Sequence, residues 1–391
     1  MAINVIDKIK CTGCCACMNS CPTAAIKMEV DEAGFGYPKV DTNLCINCGV
    51  CERVCPIDKE QQTVDYSPEV YAAWSMNPEV RFKSTSGGMF SELAYAVLQL
   101  GGVVAGAVYR SDNLVEHIIV TDAKGIDRLR QSKYLQSEIG DVYKQIKTYL
   151  GDGVYVMFVG SPCQVAGLKS FLRKDYEKLI TVDFICRGMN SPKAYRYWLN
   201  DLEERYNSKV TNVWFKYKKH GWKESPRCTK VTFENGKECI LDADKNSFMR
   251  GYLDGNLYLR PSCSDCQFKG IARRSDITLA DFWSIPKKLD DDKGTSMVLI
   301  NSEKGRNLFG KIKDKMFYYQ RSFDEVSKGN VCFRESAVIN PKGEEFLGRL
   351  GEKKFDHLVR EYAPISLKKG IRRELSRIKR YLLRKIDWGR R

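Results

Sequence analysis

Two copies of one cysteine run constrain this chain more than any other feature. The first reads Cys11-Thr-Gly-Cys14-Cys15-Ala-Cys17-Met-Asn-Ser-Cys21-Pro22, the second Cys45-Ile-Asn-Cys48-Gly-Val-Cys51-Glu-Arg-Val-Cys55-Pro56. Both follow C-x2-C-x2-C-x3-C-P. Three closely spaced thiolates can wrap three corners of an iron–sulfur cubane in one tight turn, and the fourth, followed by proline, reaches across to a second cubane. The spacing predicts two [4Fe–4S] clusters with crossed ligation: Cys11, Cys14, Cys17 and Cys55 for one, Cys45, Cys48, Cys51 and Cys21 for the other. Cys15 falls outside the pattern and is read as a non-ligand. Zinc sites present two separated C-x2-C pairs, so three spaced cysteines followed by Cys-Pro, twice over, favour iron–sulfur.

The whole chain holds 16 cysteines and 3 histidines in 391 residues. Residues 1–10 show neither the apolar core nor the cleavage site of a secretory leader. No window reaches the ~18 apolar residues of a membrane span. The expected location is cytoplasmic, where clustered cysteines go to metal and not to disulfides. At 43% hydrophobic residues the composition is globular, which excludes a disordered or fibrous protein, and the length suits two or three domains.

Residues 1–60 form the expected two-cluster domain, of α+β ferredoxin-like class. Residues 57–68 are polar and aperiodic and read as a linker. Apolar runs then predict strands at 70–74, 103–109, 115–120, 154–159 and 179–185, with helices at 89–100 and from Gly160-Ser-Pro through Leu172. This is an α/β catalytic domain with a largely buried sheet, spanning 68–365. Neither a dinucleotide fingerprint nor a P-loop is present.

Cys163 and Cys186 each lie just past a buried strand, and Cys263 and Cys266 form a C-x2-C pair. Spacing alone is compatible with a four-ligand set and equally with inert buried thiols; Cys228, Cys239 and Cys332 are read as the latter. Lys83-Ser-Thr-Ser-Gly-Gly-Met89 and Gly160-Ser-Pro162 each precede a helix, so each either caps it or offers free N–H groups to an anion.

At these residues the chain resembles the beta subunits of coenzyme F420-reducing hydrogenase and of F420- or flavin-linked dehydrogenases, in the bacterial branch with a fused N-terminal two-cluster ferredoxin. The resemblance is carried by Ser84-Thr-Ser-Gly-Gly-Met-Phe90, Gln131-Ser-Lys-Tyr-Leu-Gln-Ser137, Phe158-Val-Gly-Ser-Pro-Cys-Gln-Val-Ala-Gly-Leu168 and Asp183-Phe-Ile-Cys-Arg-Gly-Met-Asn-Ser-Pro192. Lys219-His-Gly-Trp222, Leu259-Arg-Pro-Ser-Cys-Ser-Asp-Cys-Gln-Phe268, Ser275-Asp-Ile-Thr-Leu-Ala-Asp-Phe-Trp283 and Lys293-Gly-Thr-Ser296 complete it.

The resemblance implies an FAD in the α/β domain. Ser86, Gly87 and Gly88 would approach it, Ser132, Lys133 and Tyr134 would line its site, and Gly160 and Ser161 join the cofactor-binding set. It also implies a third [4Fe–4S] cluster on Cys163, Cys186, Cys263 and Cys266. Lys133 and Arg187 are the candidate catalytic residues, as electrostatic partners of flavin or substrate. The family's usual Cys-His-Gly reads Cys186-Arg187-Gly188 here, so its histidine has no counterpart. The implied function is an oxidoreductase that takes single electrons from a ferredoxin-like or reductase donor, through the clusters to FAD, and on to a small organic substrate. Relatives of this branch often lie among polysaccharide-synthesis genes. The alternatives are an electron-transfer subunit feeding a separate catalytic partner, and a non-enzymatic redox sensor.

The chain carries 64 Lys and Arg against 49 Asp and Glu, a formal +15. Residues 368–391 hold 11 of those bases and only Glu374 and Asp387 as acids. Ile371, Leu375, Ile378, Leu382 and Ile386 share one helical face, so 366–391 is expected to be a basic amphipathic helix. Such a helix suits the anionic inner face of a membrane. No nucleic-acid-binding module accompanies the charge, and no nucleic acid is expected as partner.

Overall fold

The computed structural model describes residues 3, 7–57, 68–242 and 245–365. Most of the expected linker and the basic helix expected at 366–391 lie outside the described residues. Among the described residues no helix is long and apolar enough to cross a membrane.

The N-terminal module is a small α+β unit whose backbone repeats as its cysteines do. Two antiparallel strands, β1 (Ile26–Val30) and β2 (Gly36–Val40), pair with Ile26 opposite Val40. A short helix follows each Cys-x2-Cys turn, Ala16–Ser20 in one half and Val50–Arg53 in the other. In the first run Gly13 and Cys15 have φ of 67° and 62°; in the second Asn47 and Gly49 have 53° and 66°. These are equivalent positions, one residue before and one after the second cysteine of each run. Left-handed residues there bend the chain sharply enough for three cysteines to face one point. Cys15 thus occupies the place of Gly49, and its side chain packs with Ile139, Tyr143 and Val165.

The larger part is built on a nine-stranded sheet. Its strands are β3 (Glu69–Ser75), β4 (Val103–Tyr109), β5 (Val115–Val120), β6 (Ser137–Glu138), β7 (Val156–Val159), β8 (Leu179–Phe184), β12 (Ile277–Asp281), β13 (Ser296–Ile300) and β14 (Met316–Gln320). Between β8 and β12, the strands β9 (Val210–Phe215), β10 (Thr229–Phe233) and β11 (Glu238–Leu241) form a separate antiparallel sheet. The large sheet runs β14-β3-β13-β12-β8-β7-β4-β5-β6. Its centre, β12-β8-β7-β4, is parallel, and antiparallel pairs flank it on both sides. Parallel strands need both faces covered, and Val156, Met157 and Phe158 of β7 are fully buried.

The five expected strands and two expected helices are all present, with ends moved by at most two residues. The helix Met89–Gln99 buries Met89, Leu93, Ala94 and Val97 against the sheet. The three-stranded sheet packs with the helices Pro192–Tyr206 and Phe355–Tyr362 around an aromatic core of Tyr195, Trp198, Phe215, Phe248 and Tyr258.

Candidate cofactor sites

Eight of the nine N-terminal cysteines divide into two groups of four. Cys11, Cys14, Cys17 and Cys55 line one small cavity, with Cys15 also at its wall. Cys21, Cys45, Cys48 and Cys51 line another. Each group takes three cysteines from one run and the last from the other. The Ile3 N–H donates to Cys51 Sγ at 3.2 Å. Burial first, and then Cys17, Cys163 and Cys55 as neighbours, hold the Cys14 thiol well above its ordinary value; burial does the same to Cys17. Thiols so placed ionise only when a metal takes the place of the proton. Among the described residues no three His, Cys, Asp or Glu side chains close around a point as a single metal ion requires. Four sulfurs spread around a cavity fit an iron–sulfur cubane.

Cys163, Cys186 and the Cys263–Cys266 pair come together from three places in the fold. Cys163 sits in the first turn of the helix Pro162–Leu172, which follows β7; Cys186 follows β8; Cys263 ends the single turn Pro261–Cys263. Burial pushes Cys163 up to about 12, with Cys266 and Cys263 adding to the rise. Cys186 is raised by burial and then by Cys263, Cys163 and Cys266. Met189 N–H points at Cys263 Sγ, 3.4 Å away. Lys269 Nζ donates to the carbonyls of Cys186 and Cys332 at 2.6 and 2.8 Å, tying both segments together. These four thiols influence one another's ionisation, which places them close together, and an all-sulfur set of four fits a cluster.

The cysteine groups are neighbours. A Cβ on Gly167, in the helix that carries Cys163, would lie 3.1 Å from Cys14 Sγ and 2.9 Å from its Cβ. Only glycine permits that approach. Gln136 Nε2 donates to the Thr12 and Gly13 carbonyls, 3.4 Å each, and Asn19 Nδ2 to the Gly140 carbonyl at 2.9 Å. The small module is thereby seated on the end of the sheet.

The segment Ser84–Gly88 packs against 293–296. Ser86 Oγ donates to the Thr295 carbonyl at 2.7 Å, and Gly87 N–H donates to Ser296 Oγ at 3.0 Å. Thr85 Oγ1 meets Ser132 Oγ at 3.0 Å, which joins the first two segments carried by the resemblance. Beside them lies an open groove of about 450 Å³, walled by Trp74, Phe82 and Phe317 and bordered by Arg81, Lys218, Lys293 and Asp292. Two buried hydroxyls next to this segment, Ser84 Oγ and Thr295 Oγ1, have no partner. Aromatic walls, cations and orphaned hydroxyls fit a planar anionic cofactor such as a flavin nucleotide.

The remaining expected residues are placed as follows. Lys133 Nζ is buried on the carbonyls of Leu129, Arg130 and Gln131, at 3.2, 2.9 and 3.4 Å, and burial pulls it down to about 7. It closes the end of the helix Ala123–Leu129. Arg187 donates to the Tyr252 and Leu253 carbonyls at 3.0 and 3.2 Å, so its fork is engaged at a helix end as well. Ser161 caps its helix with Gln164 and meets Cys163 Sγ at 3.1 Å; Gly160 leaves room for the Phe158 ring. These two therefore lie at the third cysteine group, and Ser86, Gly87, Gly88 and Ser132 at the groove segment.

Several polar residues at these sites were missing from the sequence reading. Lys218 Nζ donates to the carbonyls of Arg81, Ser86 and Lys293 at 2.7, 2.7 and 2.9 Å. Burial, then the Arg81 charge, pulls it down to about 7. Lys216 pairs with Asp281, and Asp281 also accepts from Trp222 Nε1 at 3.2 Å. Burial opposes the Lys216 charge, but Asp281 and Tyr134 outweigh it and raise its affinity for the proton. The motifs Lys219–Trp222 and Ser275–Trp283 pointed near these residues without naming them.

His117 on β5 is buried against Phe158, with Nε2 donating to the Val159 carbonyl at 3.1 Å. Burial pulls it down to about 4. The unfolded chain takes the proton first, near pH 6.5, so stability is lost as pH falls from about 6.5 through 4, by about 3 kcal/mol in all. Denaturant unfolding of His117→Leu across that window is expected to show a flatter acid limb than the parent; parallel limbs would contradict it.

Comparison with known proteins gives the chain a family and its N-terminal part an iron–sulfur domain type. The chain matches the family models described as coenzyme F420 hydrogenase/dehydrogenase beta subunit, N-terminal part over residues 70–144 and C-terminal part over 154–325. A 4Fe-4S dicluster domain model matches residues 10–59. An uncharacterized protein from Methanocaldococcus jannaschii is 23% identical over 342 residues, 78% of this chain and 87% of its own. Two uncharacterized ferredoxins of that organism are 39% and 40% identical over 57 and 53 residues, covering 14% and 13% of this chain and 73% and 79% of theirs. A chain in a xenon-derivatized crystal of the F420-reducing [NiFe] hydrogenase complex from Methanosarcina barkeri overlays with a TM-score of 0.46 at 18% identity, over 75% of this chain and 90% of that one. With its sheet, its cysteine groups and both halves of the family pattern in order, the chain belongs to the coenzyme F420 hydrogenase/dehydrogenase beta-subunit family of oxidoreductases, as an iron–sulfur electron-transfer protein with a ferredoxin-type 4Fe–4S domain at its N-terminal side.

Proposed function

We infer that this protein is an iron–sulfur flavoprotein oxidoreductase whose cysteine groups conduct single electrons to an FAD that serves a small organic substrate. Two [4Fe–4S] clusters would be held by Cys11, Cys14, Cys17 and Cys55 and by Cys21, Cys45, Cys48 and Cys51. Cys163, Cys186, Cys263 and Cys266 would hold a third. When bound, these groups supply one-electron steps and the flavin supplies the exchange between single electrons and a hydride.

The observation that carries the reading is the contact of Cys14 with the helix of Cys163, which puts a ferredoxin-type cysteine group against the third group inside one chain. The protein's own residues bury Cys11, Cys14, Cys17 and Cys51 and fix the cysteines on short turns. Ser84, Ser86, Gly87, Gly88, Ser132 and Tyr134 would hold the flavin, with Lys218 fixing the Ser86 segment through its carbonyl. Lys133 and Arg187 support this region through helix-end carbonyls.

The test is anaerobic reduction with dithionite followed by small organic acceptors, sugar-linked carbonyl compounds and F420 among them, with the flavin band followed by absorbance. Recovery of the oxidised flavin spectrum by an acceptor is expected. Recovery only on adding a protein oxidant would favour the second reading, an electron-transfer subunit, which the description of the family as a beta subunit supports.

The charge of residues 368–391 supports peripheral attachment to an anionic membrane. The full chain is expected to pellet with anionic liposomes at low salt, and a chain ending at residue 367 is expected to stay in solution. Equal pelleting would contradict this.

A further inference from the structure

We propose that Arg260 is a positioning residue that raises the reduction potential of a cluster on Cys11, Cys14, Cys17 and Cys55. This rests on the cluster assignment above.

The Arg260 side chain is 1% exposed and spans two of the cysteine groups. Its Nε donates to the Cys11 carbonyl at 2.8 Å. One terminal nitrogen donates to Gln136 Oε1 at 2.6 Å; the other donates to the Gly36 carbonyl at 3.0 Å and stands 3.8 Å from Cys11 Sγ. The rings of Tyr37 and Phe35 lie 4.3 and 5.4 Å from the guanidinium. On its own segment, the Arg260 carbonyl accepts from Cys263 N–H at 2.9 Å. The residue thus touches a ligand of the first group with its side chain and a ligand of the third with its backbone.

Carbonyls satisfy the donors of a guanidinium but leave its charge. A cation withdrawn from water carries a penalty of several kcal/mol unless an anion answers it. Among the described residues no carboxylate forms an ion pair with Arg260. The anions available to it are the cysteine sulfurs.

Reducing a cubane adds one electron and one negative charge; no bond breaks and no proton is required. A fixed cation and an N–H directed at a ligand sulfur both favour the reduced member, and cluster potentials follow these two influences together with exposure. The inner cluster is then easier to reduce than it would be without Arg260. The position of Arg260, three residues before Cys263, couples this preference to the group next in line.

The experiment is a potentiometric titration of the anaerobically purified full chain, with dithionite as reductant and electron paramagnetic resonance as readout. Parent, Arg260→Gln and Arg260→Lys are compared at equal iron content. One cluster's midpoint is expected to fall in Arg260→Gln and to fall by a smaller amount in Arg260→Lys, which keeps the charge but loses the fork. Unchanged midpoints in either iron-replete variant would overturn the proposal. If Arg260→Gln fails to hold iron, Arg260→Lys carries the test alone. A parent protein with no cluster on these cysteines would overturn both this proposal and the reading beneath it, and its iron count tells that result from a failure of Arg260 alone.

Discussion

Replacing Cys163 by serine is expected to remove about four irons per chain and to leave about eight, since each cubane takes four thiolates. The substitution keeps nearly the volume of the side chain, and the capping of the helix by Ser161 and Gln164 is independent of the sulfur. The fold should therefore survive while one ligand is lost. The ferredoxin-type group keeps all four of its own cysteines and is expected to keep its iron. Iron and sulfide assay of the anaerobically purified variant, beside its circular dichroism, decides the matter. An iron content equal to the parent's, in a folded variant, would remove Cys163 from the ligand set.

The largest effect on folding is expected at Asp183. Its carboxylate pairs with Arg273 at 2.8 Å, with side chains 1% and 3% exposed. Arg273 also donates to the carbonyls of Phe268 and Phe184, at 3.1 and 3.2 Å. This one guanidinium therefore joins the end of β8, just before Cys186, to the loop that follows Cys266. Asp183→Ala leaves a buried cation unanswered, which costs about 3–5 kcal/mol, a large share of the ~5–15 kcal/mol that hold a domain folded. The double variant Asp183→Ala with Arg273→Met removes the stranded charge and is expected to recover a substantial part of the loss. Denaturant unfolding checks both. A loss below about 1 kcal/mol in the single variant, the range of an exposed pair, would contradict the pair's structural role.

The N-terminal half of this picture was legible from residue spacing because ligand geometry is local. Cys11, Cys14 and Cys17 must lie on one turn, and only the crossing of Cys21 and Cys55 needs the fold. The strands at 103–109 and 115–120 were equally plain, as continuous or alternating apolar runs bounded by turn residues. What spacing does not contain is long-range order. β3 begins at Glu69, yet its neighbours are β13 and β14, more than 200 residues later. The convergence of Cys186 with Cys263 depends on β8 lying beside β12, and the resemblance supplied it before the sheet did.

Buried polar residues were the hardest to read. Arg260, Lys216 and Lys218 look like ordinary surface charges in a basic chain, and nothing in their local pattern marks them as interior. Lys133 and Arg187, the two charges singled out, prove to be engaged with backbone carbonyls at helix ends. A side chain's burial is set by elements distant in sequence, so the informative cations became visible only with the packing.

The central claim is that one chain holds three cubanes and a flavin in series. It is tested most directly by the cofactor inventory of the full-length protein purified without oxygen: iron, acid-labile sulfide and released flavin, each per chain. About twelve irons, about twelve sulfides and one FAD are expected, on four irons and four sulfides per cubane. About eight irons with no flavin would contradict the account, and would leave a two-cluster ferredoxin joined to a family domain that works without its own redox centres.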